Sequence, residues 1–157
     1  MTEEKVKEYT LRVTQGNKSE LIVILCDMLL DYIEDAKDAA SKDAVFDFQN
    51  ALIHAKGCVR QLIGSLHREY DLANCLYELY RFAERQLNKA EIQLDTDPLM
   101  SVENMFVKLR PAFMEVASKD TSGAVMKNTQ SVYAGMTYGR GNLNENMVTS
   151  SNRGFFA

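Results

Sequence analysis

The chain is poor both in residues that break helices and in residues that build reactive sites. It has no tryptophan, and its prolines are confined to Pro98 and Pro111. With no proline before residue 98, the backbone is free to form long helices over that stretch. The three cysteines, Cys26, Cys58 and Cys75, are an odd number, lie far apart and form no C-x-x-C pair. That excludes a disulfide framework and predicts buried, reduced thiols in a cytosolic protein. Positive charge is scarce too, with 18 Lys and Arg against 22 Asp and Glu for a net charge of −4. No basic stripe is interleaved with aromatics, so no nucleic-acid partner is expected. The opening MTEEKVKEYT lacks the apolar core of a signal peptide, which predicts a cytoplasmic location.

Catalytic patterns are missing as well. His54 and His67 stand alone and no Glu-x-x-His pair occurs, so the di-iron site that helical bundles often carry cannot be assembled. There is no G-x-S-x-G, no phosphate loop and no cysteine and histidine at nucleophile-like spacing. Carboxylate pairs such as Asp31 with Asp35, or Glu34 with Asp38, sit four apart on what reads as a solvated helix face. We therefore expect no enzyme, no metal and no cofactor.

What the chain does have is a run of apolar residues, Leu21 to Leu30, nine of ten apolar with Asp27 the exception. Ten residues fall short of the roughly 20 that cross a bilayer, so membrane insertion is not expected. A surface helix needs an apolar band of only about 100°, and this segment is apolar all round. It is either fully central or keeps a second apolar face for another chain.

Periodicity predicts helices over about Ser19–Ala40, Ala44–Tyr70, Asp71–Leu94 and Pro98–Ser118. Their inner lines run Leu21, Leu25, Met28, Tyr32 and Ala36, then Phe48, Leu52, Ala55, Val59, Leu62 and Leu66. The third line is Ala73, Leu76, Tyr80, Ala83, Leu87 and Ala90, and the fourth Val102, Met105 or Phe106, Leu109, Phe113 and Val116. Asn17 or Ser19 is placed to cap the first helix, Ser41-Lys42-Asp43 breaks the next, and Asp97 with Pro98 opens the last. Pro111 should kink that last helix near Val107. Four helices of about 30 Å joined by short turns imply an all-α, antiparallel, up-and-down four-helix bundle. Residues 1–18 read as an extended cap segment, 19–118 as the bundle and 119–157 as an extended or partly disordered tail.

Gly57 and Gly64, one heptad apart, share a face of the second helix, where each costs about 1 kcal/mol relative to Ala. Close packing against a neighbouring helix is one explanation, and a groove for a partner helix the other. Tyr77 and Phe82 fall off the inner line of the third helix and could border such a groove.

The order of motifs resembles a known family. Tyr9, Val13-Thr14 and Glu20-Leu21 lead into ELIVILCDMLLDYI, FQNALIHAKGCVRQLIGSLHREYDLANCLYELYRFAERQLNKAEIQLD follows, and VKLRPAF comes last. Together, over about residues 9–118, this is similar to the flagellar export chaperone FliS family, with its V-x-T-A-S-P-x-E-L and M-L-Y-D-G-A-L text, its L-x-x-L-Y segment and its final L-R-x-x-W element. Departures are Cys26 for the Tyr of L-Y-D, Met28 for a small residue, Phe113 for Trp, TQGNKS for the T-A-S-P turn, and Pro111.

The resemblance implies a cytosolic chaperone that binds the disordered C-terminal region of newly made flagellin, keeps it from polymerising early and escorts it to the gate of the flagellar type III export apparatus. On that basis the expected partner-binding residues are Tyr9, Val13, Ile22, Cys26, Leu29, Ile33, Gly57, Gly64, Tyr77 and Phe82. The competing reading is a helical adaptor that dimerises through the same grooves or sequesters a folded regulator. The two ends should act as covers for the client surface, through Tyr9, Leu11 and Val13 on one side and the apolar residues from Val132 to Phe156 on the other.

Overall fold

The computed structural model describes residues 1–67 and 69–126, all within one unit that spans Met1–Lys127. Every regular element in it is a helix: α1 (Glu3–Gln15), α2 (Lys18–Ser41), α3 (Val45–Gly64), α4 (Asp71–Gln93) and α5 (Asp97–Lys119). The all-α class expected from the sequence is what the described residues adopt. The tail readings at Val132 to Phe156 lie outside the described residues.

The first 18 residues are where expectation fails most clearly, because they are helical rather than extended. Thr2 caps α1 by accepting from the Lys5 N–H, Glu3 and Glu4 occupy its first turn and Arg12 its last. That charge order favours the helix dipole, and Val6, Tyr9 and Val13 give it an apolar line at helical spacing. A helix of 13 residues is marginal alone, so its stability depends on what it lies against, which is α2.

Asn17 starts α2 with a capping box: its side chain accepts from the Glu20 N–H at 2.8 Å, and the Glu20 carboxylate accepts from the Asn17 N–H at 2.8 Å. Asp43, in the left-handed region at φ 53°, makes the break before α3. The second predicted helix is six residues too long, since α3 ends at Gly64 rather than Tyr70. The cap of α5 is Thr96, with Asp97 and Pro98 already inside the helix, and α5 runs on through Pro111 to Lys119.

Helix α2 packs on α3 and α5, and α4 closes the ring by packing on the same two. The shared core is fully buried at Cys26, Leu29, Ile33, Leu52, Val59, Leu62, Leu87, Leu99, Val102 and Phe106. Tyr80 stacks on Phe106 between α4 and α5, and Tyr32 on His54 between α2 and α3, at centroid distances of 6.0 and 5.1 Å. At the rim, Lys56 meets Glu91 at 2.6 Å across α3 and α4, and Lys37 meets Glu103 across α2 and α5.

The inner lines of α3 and α4 are as expected apart from Leu66, which lies past the end of α3, and Leu76, both only half-buried. On α5, Phe106 rather than Met105 is central and Val116 is exposed. On α2 Ala36 is buried as expected, but ahead of it the inner line is turned by one position. The core takes Cys26, Leu29 and Ile33, while Leu25, Met28 and Tyr32 are half-buried on the next face round.

Candidate functional site

Two kinds of apolar surface remain after the core is closed, one open and one covered. The open surface is clearest on α3. Phe46 is 79% exposed and Ile53 54%, and Gly57 and Gly64 continue the same stripe at helical spacing. A Cβ built on either glycine meets nothing within 4 Å. The packed-seam explanation for these glycines therefore fails: their missing side chains face open space. On α5, Met100, Val107 and Met114 stand exposed at seven-residue intervals, a straight apolar line along one face. Leu72 and Leu79 repeat that interval on α4.

The covered surface is the outer face of α2 beneath α1. Val6, Tyr9, Thr10 and Val13 of α1 lie over Met28 and Tyr32 and leave an apolar cavity of about 210 Å³. On the other flank, an open trough of about 490 Å³ runs between Arg12, Gln15, Glu20, Val23, Ile24, Met114 and Ala117. Helix α1 thus fills only part of the space along α2.

Polar contacts fasten it there. The Tyr9 hydroxyl donates to Asp31 Oδ2 at 2.8 Å, and Lys5 Nζ lies 3.0 Å from Asp31 Oδ1. Burial, and next the Asp31 carboxylate, raise the Tyr9 pKa well above the ordinary phenol value, so it remains a donor. Arg12 Nη2 donates to Asp27 Oδ2 at 2.6 Å, and the guanidinium Cζ sits 5.3 Å over the Tyr9 ring. The other Asp27 oxygen takes Arg110 of α5, whose pKa is raised chiefly by that hydrogen bond. One largely buried carboxylate therefore joins α1, α2 and α5.

A second clasp closes the junction of α1 and α2. Ser19 donates to Asp120 Oδ2 at 2.6 Å, Asn17 Nδ2 donates to the Asp120 carbonyl at 3.1 Å, and the Val125 N–H donates to the Gly16 carbonyl at 3.1 Å. Hydrogen bonds from Ser122 first, and from Ser19 next, hold the Asp120 carboxyl down at about 2. Gly16 lets the chain turn tightly against the end of α1, where a Cβ would crowd the Arg12 carbonyl oxygen at 3.0 Å.

The ten residues expected to bind a partner fall into three groups. Cys26, Leu29 and Ile33 are wholly inside the core and offer a partner no surface in this arrangement. Their apolar character was real, but it serves the centre of the fold. Tyr9 and Val13 lie in the seam between α1 and α2, and Ile22 is half-buried beside the core. Gly57 and Gly64 sit on the open stripe of α3, and Tyr77 and Phe82 are half-buried on α4. Asp31 was missed as an acceptor because its spacing from Asp35 made it look like solvated charge, and Asp27 stood out only as the one polar residue of an apolar run. Among the described residues no group of histidine, cysteine or carboxylate side chains is arranged to hold a metal ion.

With this geometry in hand, comparison with known proteins gives a consistent answer. The sequence profile described as flagellar protein FliS matches residues 3–120. A curated relative, the flagellar secretion chaperone FliS of Bacillus subtilis (strain 168), is 26% identical over 108 residues, covering 69% of this chain and 81% of the relative. The matched region takes in all five helices and ends at the Asp120 clasp, and the chain belongs to the FliS family of flagellar proteins.

Proposed function

We propose that this protein is an export chaperone that binds the disordered C-terminal region of flagellin in apolar surface grooves. It keeps that region from polymerising early and delivers it to the gate of the flagellar type III export apparatus in the cytoplasm. The observation that carries the reading is the excess of open apolar surface on a chain whose core is already closed: the Phe46, Ile53, Gly57 and Gly64 stripe of α3, with the Met100, Val107 and Met114 line of α5. A client that folds on binding loses ordering entropy, so its host must offer long apolar tracks. Glycines without neighbours let a client helix approach the α3 backbone closely.

The reading includes an antiparallel up-and-down order of α2 to α5, supported by the short connections and by the pairing of Lys37 with Glu103 and Ser19 with Asp120 at opposite ends of α2 and α5. It also gives α1 a part, as a cover over Met28 and Tyr32 that a client displaces. No chemistry is involved. No helix among the described residues is long and apolar enough to cross a membrane.

The test is a calorimetric titration with a flagellin C-terminal segment from the same organism. Binding with a strongly negative heat-capacity change supports the proposal, and no binding at tens of micromolar overturns it. The α5 line favours one competing reading, an adaptor that dimerises. A dimer in solution that ignores the flagellin segment would establish that instead.

A further inference from the structure

Helix α1 leans on α2 alone among the described helices, and the polar side of their seam has a fixed direction. Helix α2 supplies only acceptors there and α1 only donors. Asp27 and Asp31, four residues apart, take Arg12 at 2.6 Å, Tyr9 at 2.8 Å and Lys5 at 3.0 Å. The three donors are spaced four and three residues apart, which puts them on one helix face.

The two acceptors differ in what happens when α1 lifts. Asp27 keeps Arg110, which belongs to α5. Lys5 and Tyr9, which hold Asp31, both belong to α1. Removing α1 therefore leaves the Asp27 carboxylate paired, and it leaves Asp31 without those donors at the edge of an apolar bed formed by Met28 and Tyr32. A helix already seated on this bed shows what fits it: apolar residues two turns apart, Val6 and Val13, with the Tyr9 phenol midway between them.

We propose that α2 selects its client by this pattern. The client helix that replaces α1 brings a Lys, Arg or Tyr to Asp31 in the register of Tyr9, with apolar residues a turn to either side against Met28 and Tyr32. An acidic residue in that register meets the Asp31 carboxylate, which has lost Lys5 and Tyr9, and is rejected, so the same site discriminates as well as attracts. This inference rests on the chaperone reading above and adds the chemistry of the segment bound.

The experiment uses the full chain and the flagellin C-terminal segment, and it turns on the sign of two effects. Lys5→Gln with Tyr9→Phe loosens α1 without altering the acceptor, so client affinity rises severalfold. Asp31→Asn loosens α1 at the same contact but removes the charge the client needs. Affinity should then fall roughly tenfold, the scale of a hydrogen bond to a charged group. Added salt should weaken the wild-type complex more than the Asp31→Asn complex. As a second measurement that leaves the chaperone intact, each Lys, Arg and Tyr of the segment is replaced singly by Gln. One replacement should cost a similar factor with wild-type protein and little with Asp31→Asn. Binding that tightens or stays unchanged in Asp31→Asn, with no sensitive residue in the segment, overturns the inference and leaves the chaperone reading standing. No binding by the wild-type chain overturns both.

Discussion

Arg12 and Arg110 grip opposite oxygens of one carboxylate, that of Asp27, from helices that otherwise do not meet. Asp27 is largely buried while both guanidiniums keep part of their hydration. Replacing Asp27 by Ala should cost about 1–3 kcal/mol of global stability, less than a fully buried pair would lose. Arg12→Gln should leave global unfolding nearly unchanged and raise amide exchange in α1. Urea denaturation and native-state hydrogen exchange separate the two effects.

Alanine at Gly57 meets no neighbour. The substitution should stabilise the chain by up to about 1 kcal/mol through helix propensity, with a smaller gain at Gly64 on the last residue of α3. Both substitutions should weaken binding of a flagellin segment by blocking close approach. Thermal unfolding and calorimetry on the double variant check both signs. A fall in stability would show that the stripe is closed in solution.

Neither outcome follows from the sequence alone, and the reason is instructive. Gly57 and Gly64 were legible as a shared face, yet a one-heptad spacing fits a seam and a groove equally well. On α2 the difficulty is greater. Leu25, Met28 and Tyr32 form one apolar line and Cys26, Leu29 and Ile33 another, about 100° apart, so period analysis has no basis for choosing which faces inward. The core took the second line, and of the first, Met28 and Tyr32 lie beneath α1. The helical character of residues 3–15 was hidden by its charge: four glutamate or lysine residues precede Val6 or flank it, and the apolar line of Val6, Tyr9 and Val13 is only three residues long. By contrast α3 and α4 bury one clean line each, and their inner residues were readable almost throughout.

The thiols should react in two classes. Burial pushes Cys26 up to about 12 and Cys58 to about 11, whereas Cys75 is exposed on α4, against the expectation that all three are buried. Ellman's reagent at pH 8 should titrate one thiol quickly in the native protein and all three in denaturant, since only an accessible thiolate reacts.

Asp120 offers a pH test. Its folded-state pKa is depressed to about 2, so its contribution to stability is present above the ordinary carboxylate value and is lost as pH falls from about 4 towards 2. Ser19→Ala should move its titration upward while leaving it below the ordinary value, because the Ser122 hydrogen bonds remain. Carboxyl-carbon NMR titration reads the shift directly.

The clasp at Gly16, Asn17 and Ser19 also sets the order in which the molecule assembles. Its partners are far along the chain: Asn17 and Asp120 are separated by 103 positions, whereas α2 meets α3 across a turn of a few residues. Contacts between sequence neighbours form early, and a contact that closes a loop of this length waits for the helices between to settle. The clasp should therefore form late, after the folding transition state. Weakening it, as in Ser19→Ala, should speed unfolding and leave the folding rate almost untouched, which stopped-flow unfolding and refolding would check.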